Sequence, residues 1–452
     1  MRLGSATYTT TTPGGFIYTD PGSSDPISIA GVSPGASKIA VAAPGGVPAL
    51  MTDYRGLTIS NLGGQSSLSD LSIELPTPAI AVPMNFPENQ RYRGFSDQSN
   101  TQVSDEAITS PPAAPIYAVG IDSVNNGTQI ANSTVSLGSG GTNYPSYGLD
   151  ETNVNPVNTT ITGTTISADQ PLRDGNADPG AELIVDRSTL QARQIGIAVT
   201  PATAVLTNTL IDLGANPTAV AFDVGFENQN SATDSAVFGD GLTIVGSGND
   251  QLGLSVHAVE DNTDPLFVDT ATANLLDTVI DLRGANPVAV NRSDDADGTA
   301  NVNFDYSSLD STTISESDGA ATAPGATTLG AHNLTPQPDS GFGDFASGVY
   351  RLAAGSALID AGGPATQYGA LDHDGNSRAI LGKPGCTARR DIGAYEFAPA
   401  PAIVPSGCPA PTPTPPPTTS PSATTTKKCK KGFKLKKVKG KKKCVKTKKK
   451  RA

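Results

Sequence analysis

Tryptophan is absent from this 452-residue chain, histidine occurs three times, and aromatic residues make up only 5%. A large spherical core draws much of its buried area from aromatic rings, so the composition argues against one. A thin, stacked core of Val, Ile, Leu and Ala does without them. No run of 18 apolar residues exists, so no segment is suited to span a membrane as a helix. Amphipathic runs of 12 or more residues with apolar positions at i, i+3 and i+4 are also missing. The chain carries no Gly-x-Ser-x-Gly elbow, phosphate-binding loop or His-rich metal motif. His257, His332 and His373 stand alone and read as surface or corner residues. The chain opens Met1-Arg2-Leu3-Gly4-Ser5-Ala6-Thr7-Tyr8 without an apolar leader, from which we expect the native start to lie upstream.

Basic residues are scarce over the first 426 positions, where 15 face all 43 acids, a balance of about −28. They return at the end. Lys427 to Ala452 holds fifteen Lys, one Arg and no acid, about +16. An asymmetry this sharp joins two physically different objects. Cysteine is sparse too, and Cys386, Cys408, Cys429 and Cys444 all fall in the last 67 residues. We expect two bridges, Cys386–Cys408 and Cys429–Cys444, among three possible pairings, and hence an oxidising, extracytoplasmic setting. Four free thiols are the alternative. Zinc is disfavoured by the absence of close pair spacing and of a nearby His.

Gly (48) and Pro (36) are plentiful. They break up many short segments in which apolar residues alternate with small polar ones. Leu68-Ser69-Asp70-Leu71-Ser72-Ile73, Ile130-Ala131-Asn132-Ser133-Thr134-Val135 and Gly241-Leu242-Thr243-Ile244-Val245-Gly246 are examples. Period-two alternation marks strands with one buried face. One repeat is explicit. Asn208-Thr209-Leu210-Ile211-Asp212-Leu213-Gly214-Ala215-Asn216-Pro217 returns as Asp277-Thr278-Val279-Ile280-Asp281-Leu282-Arg283-Gly284-Ala285-Asn286-Pro287, 69 residues on. Such a period points to a solenoid. We read it as three turns of about 23 residues, and the whole as some fourteen turns stacked at ~4.8 Å into a rod of about 65 Å. The expected class is all-β, a right-handed parallel β-helix. A β-sandwich array is the rival reading, but Asn-Gly and Asp-Gly hairpin signals are irregular.

The body closes on a different texture: Val349-Tyr350-Arg351-Leu352, then Ala357-Leu358-Ile359-Asp360-Ala361-Gly362, Leu371-Asp372-His373-Asp374-Gly375 and Arg390-Asp391-Ile392-Gly393-Ala394-Tyr395-Glu396. Over about residues 348–397 the chain resembles the bacterial surface proteins called choice-of-anchor Q domain proteins, which are right-handed parallel β-helices. His373 departs from the pattern, where the family usually has an apolar residue. The resemblance implies an extracellular β-helix with a C-terminal closing region and implies no activity. The expected organisation is a β-helix body at 1–335, the closing region at 336–398, a disordered Pro/Thr-rich linker at 399–426 and the Lys-rich tail at 427–452. The linker holds ten prolines and favours extended backbone.

Three groups of residues are candidates for chemistry. In the tail, Lys430, Lys431, Lys434, Lys436, Lys437, Lys439, Lys441, Lys442 and Lys443 lie between Cys429 and Cys444, and a bridge there would make a small cationic hairpin. Dense lysine binds polyanions through counterion release. The partner expected is an anionic cell-wall polymer or polysaccharide, with no dedicated nucleic acid. Asp372, Asp374 and Asn376 have the i, i+2, i+4 oxygen spacing that suits Ca²⁺. Ser377 and Lys383 occupy the positions where an EF-hand needs Gly and Glu, so an Asx turn is the competing reading. Arg292, Asp294, Asp295 and Asp297 form an acidic cluster with a base, of use only if the chain is a polysaccharide lyase or glycoside hydrolase. The sequence reading is a monomeric cell-surface or wall-associated display, adhesion or binding protein, without a required cofactor. A carbohydrate-active enzyme is the alternative. It calls for a cleft of carboxylates on one face beside a Lys or Arg.

Overall fold

A computed structural model describes residues 1–20, 25–42, 52–61, 65–76, 90–111, 117–124, 127–140, 145–151, 157–175, 180–227, 234–259, 270–294, 298–309, 313–318, 324–334, 341–364, 369–385, 387–403, 433–438 and 441–446. No α-helix occurs among them. Three strands recur per turn of backbone. The first turn has Thr7–Thr10, Phe16–Asp20 and Ser28–Ala30, and the last has Ser308–Leu309, Ile314–Ser317 and Thr327–Leu329. Each strand pairs in parallel with the one three places on, giving three 11-stranded sheets. We call them sheets one, two and three in the order the chain visits them. The architecture is the expected right-handed parallel β-helix, with eleven turns among the described residues.

The turns are unequal, which corrects the even 23-residue period. Thr189 pairs with Leu210, a step of 21 residues, whereas Thr243 pairs with Val279, a step of 36. Leu210 pairs with Thr243, so the 69-residue repeat spans two turns, not three. Eleven turns shorten the column to about 50 Å. The differences in length fall mainly in the connections between strands.

One corner lies between sheet three and the next strand of sheet one. From the second turn on it is two residues long, and its first residue is left-handed: Asp70, Asp105, Asn132, Asn208 and Asp277 all have φ between 49° and 59°. Asn and Asp tolerate this region better than other residues with a side chain. The second residue builds a ladder. Ser133 Oγ accepts the Glu106 N–H at 3.2 Å, Thr164 Oγ1 accepts that of Ser133 at 3.3 Å, and Ser188 Oγ accepts that of Thr164 at 3.2 Å. These hydroxyls satisfy backbone donors that the bend takes out of the sheets. Asn208-Thr209 and Asp277-Thr278, which open the sequence repeat, are two copies of this corner.

The core is a set of ladders. Ile73, Ile108, Val135, Ile166, Leu190, Ile211, Ile244 and Ile280 stand in register on sheet one, all fully buried. Sheet two meets them with small residues. A Cβ on Gly94 would lie 2.6 Å from Ile108 Cγ2 and 2.7 Å from the Gly120 carbonyl oxygen. The interior is therefore as narrow as the aromatic-poor composition requires.

Residues 341–403 fold back along the flank of the column. Phe342, Tyr350, Leu352, Leu358, Ile359, Ile392 and Tyr395 cover the outward side chains Leu210, Val245 and Val279 of sheet one. The tail forms a separate unit, in which Phe433–Val438 pairs antiparallel with Lys441–Lys446.

Candidate functional site

Parallel stacking brings side chains from distant parts of the sequence into rows. On the outward face of sheet three, Val205, Phe238, Asn274, Asn303 and Thr328 occupy successive rungs of one row. Thr207, Asp240, Leu276 and Asp305 form the row beside it. Together they line a trough of about 630 Å3. Phe238 is 41% exposed, although a ring of that size is usually buried. Asn303 Nδ2 donates to Asn274 Oδ1 at 2.9 Å, which leaves the outer amide groups of both side chains available. At one end, His332 Nδ1 lies 3.1 Å from both Asp305 oxygens, and its ring stacks on Tyr306 at 4.2 Å between centroids. An open aromatic face, paired amides and a carboxylate in one furrow can hold a flat, hydroxyl-rich molecule.

Sheet two carries the charged face. Arg93 Nε contacts Asp53 at 3.2 Å, and its Nη1 pairs closely with Asp122. Ser96 Oγ donates to Asp122 at 3.0 Å, and Arg55 pairs with Asp53 at 2.8 Å. Asp150 is the rung neighbour of Asp122 and lies 3.6 Å from Arg173, whose guanidinium also rests over the Tyr147 ring. Burial pushes the Asp150 carboxyl above the usual carboxylate range. Arg173 opposes this and the Asp122 charge reinforces it. The cluster was not legible in the sequence, because its acids and bases come from separate turns.

The residues singled out from the sequence fare differently. Arg292 points into the column at its last turns and is 1% exposed. Its guanidinium binds Asp294 at 2.6 Å and Glu316 at 3.2 Å, and pairs closely with Asp318. Asp294 in turn accepts the Ala300 and Gly325 N–H groups at 2.7 and 2.6 Å. The pair is a buried knot tying the last turns together. Asp295 and Asp297 lie outside the described residues. The three candidate calcium ligands do not converge. Asp372 accepts the N–H groups of Asn376 and Glu396 at 2.6 and 3.1 Å, Asn376 Nδ2 turns back to Asp372, and Asp374 pairs with Arg351 at 2.7 Å. The Asp372 side chain thus closes a local loop through the N–H four residues on. No group of three or more potential metal ligands occurs among the described residues. His373, itself part of the flanking segment, is half-buried against the column, where it meets the Asn208 carbonyl oxygen at 3.1 Å. Cys386, Cys408 and Cys429 lie outside the described residues, as does the side chain of Cys444, and so do Lys430, Lys431 and Lys439.

Fold and faces together define a β-helix protein with two elaborated outer surfaces, one furrowed and one charged. No family model matches the chain, and no curated protein matches it. Solved structures of similar fold include a pectate lyase, at 12% identity and TM-score 0.36 over 87% of each chain. The catalytic domain of an alpha-1,3-glucanase in complex with nigerose has 14% identity and TM-score 0.32 over 74% of this chain and 64% of that one. The A-module of a mannuronan C-5 epimerase from Azotobacter vinelandii has 11% identity and TM-score 0.25 over 74% of this chain and 90% of that one.

Proposed function

We propose that this is a cell-surface or wall-associated protein that binds polysaccharide in the sheet-three trough and is held to an anionic polymer by its basic tail. The observation that carries the reading is the exposed Phe238 in line with the Asn274–Asn303 amide pair. Sugar rings present C–H faces that stack on aromatics and hydroxyls that pair with amides. Rungs repeat at ~4.8 Å, close to the length of one sugar unit in a chain. The trough therefore suits consecutive sugars of a polymer. Affinity electrophoresis of the full chain through a panel of neutral and acidic polysaccharides tests this. Phe238→Ala and Asn274→Ala are each expected to weaken retention about tenfold, in line with the loss of a stacking or hydrogen-bonded contact. Retention of no polymer, or retention untouched by both substitutions, overturns it.

A second reading has its own observation. Asp122 and Asp150 stand side by side on adjacent rungs with Arg93 and Arg173 against them. A carboxyl raised by burial beside a second carboxyl held by an arginine is the kind of pair that glycosidic bond cleavage uses. The chain would then act on an acidic polysaccharide. New reducing ends or unsaturated products that vanish in Asp150→Asn support this reading, and a panel without products removes it.

A further inference from the structure

Strand register in the tail hairpin sets lysine positions opposite one another. Lys436 is opposite Lys443, and Lys437 is opposite Lys442. Like charges directly opposite each other destabilise a strand pair, and a lone two-stranded hairpin is marginal in water in any case. From Lys427 to Ala452 no acidic residue is present to relieve them. Neighbouring positions on a strand alternate between faces, so the two lysine pairs fall on opposite faces. An anion on one face neutralises only one of them.

We propose that a flexible phosphate polymer completes this hairpin, so that strand pairing and polymer binding are one coupled step. The inference rests on the reading of the tail as the polymer-held part. Flexibility matters because the chain must pass around both faces; a rigid duplex or a flat charged surface meets one at a time. Lysine suits such a partner, since its compact ammonium attracts phosphate without the planar geometry that arginine imposes.

Hydrogen exchange of the full chain, followed over residues 427–452 with and without long-chain polyphosphate at low salt, tests it. Expected is at least tenfold slower exchange in 433–446 on addition of polymer, reversed by added salt. Lys437→Glu places a carboxylate opposite Lys442. It is expected to slow exchange without polymer and to weaken polymer retention. Polyphosphate retained with no change in exchange overturns the coupling and leaves the anchoring intact. Equal protection by duplex DNA overturns the requirement for a flexible chain. If low-salt polyphosphate is not retained at all, the anchoring reading falls first and the coupling with it.

Discussion

At the scale of single residues, the informative positions are the buried charges. Arg292 is enclosed with three carboxylates around it. Removing one partner of a buried ion pair leaves the other uncompensated and costs about 3–5 kcal/mol. Arg292→Met is therefore expected to lower the unfolding free energy by about 3 kcal/mol in urea titration while leaving polysaccharide retention unchanged. A loss of binding without a loss of stability would return this residue to the candidate site. Glu106 is a second case. It occupies a corner position that Ser or Thr fills in other turns, and its carboxylate accepts the Leu71 N–H at 3.2 Å. Burial pushes its carboxyl up to about 9, the Leu71 hydrogen bond opposing and Asp70 and Asp105 adding to the rise. The sign follows from proton linkage. A carboxyl raised on folding contributes stability that is full below its ordinary value near 4.5 and is lost as pH rises through the folded value. The wild-type chain is thus expected to melt at lower temperature at pH 8 than at pH 5. Glu106→Gln, which keeps the shape and removes the titration, is expected to shrink that difference. An unchanged pH profile in the variant would remove Glu106 as its source.

Elements are where sequence and structure agree best. Alternation of Val, Ile and Thr with small polar residues marks the strands, because the pattern is dictated locally by side-chain direction; Asn or Asp before Ser or Thr stands at the corners of Asn132, Asn208 and Asp277 only. The small column of sheet two is also a local constraint, and it makes a prediction. Gly94→Val would drive a side chain into Ile108 and the Gly120 carbonyl. Overpacking of this kind costs about 1–3 kcal/mol, so a drop in thermal midpoint of several degrees is expected by calorimetry. A neutral result would mean that the turns can slide apart at that rung. The number of turns was not legible, because the repeat was divided evenly although its two turns differ in length. Neither trough nor charged face was legible. Val205, Phe238, Asn274, Asn303 and Thr328 meet only through register, and the steps between them are all different. The surroundings of Arg292 were not legible for a related reason: alternation turns this arginine inward, where it meets Glu316 and Asp318 from the next turn.

The whole molecule depends on how the segment 341–403 is fastened to the column. Its apolar side chains cover sheet one, and beneath them runs a chain of buried charges. Arg390 binds Asp240 at 2.9 Å and lies 3.3 Å from Asp277, while its neighbour Asp391 accepts the Asp360 and Phe397 N–H groups at 2.6 Å. Burial pushes the carboxyls of Asp277 and Asp391 up to about 6 and that of Glu396 up to about 9. All three shifts have the same sign, so fastening is strongest in acid and weakens as pH rises from about 4 through 6 and above. Arg390 counters this for Asp277 by pairing with its ionised form. Replacing it with Met leaves Asp240 and Asp277 without that cation. The cost is greatest where Asp277 is charged. Limited proteolysis within 341–403 is therefore expected to be about tenfold faster in Arg390→Met than in wild type at pH 8. The ratio should be smaller at pH 5, where Asp277 carries a proton and only Asp240 is left without its cation. A ratio independent of pH would mean that Arg390 acts by packing alone and that the flank is held by its apolar contacts.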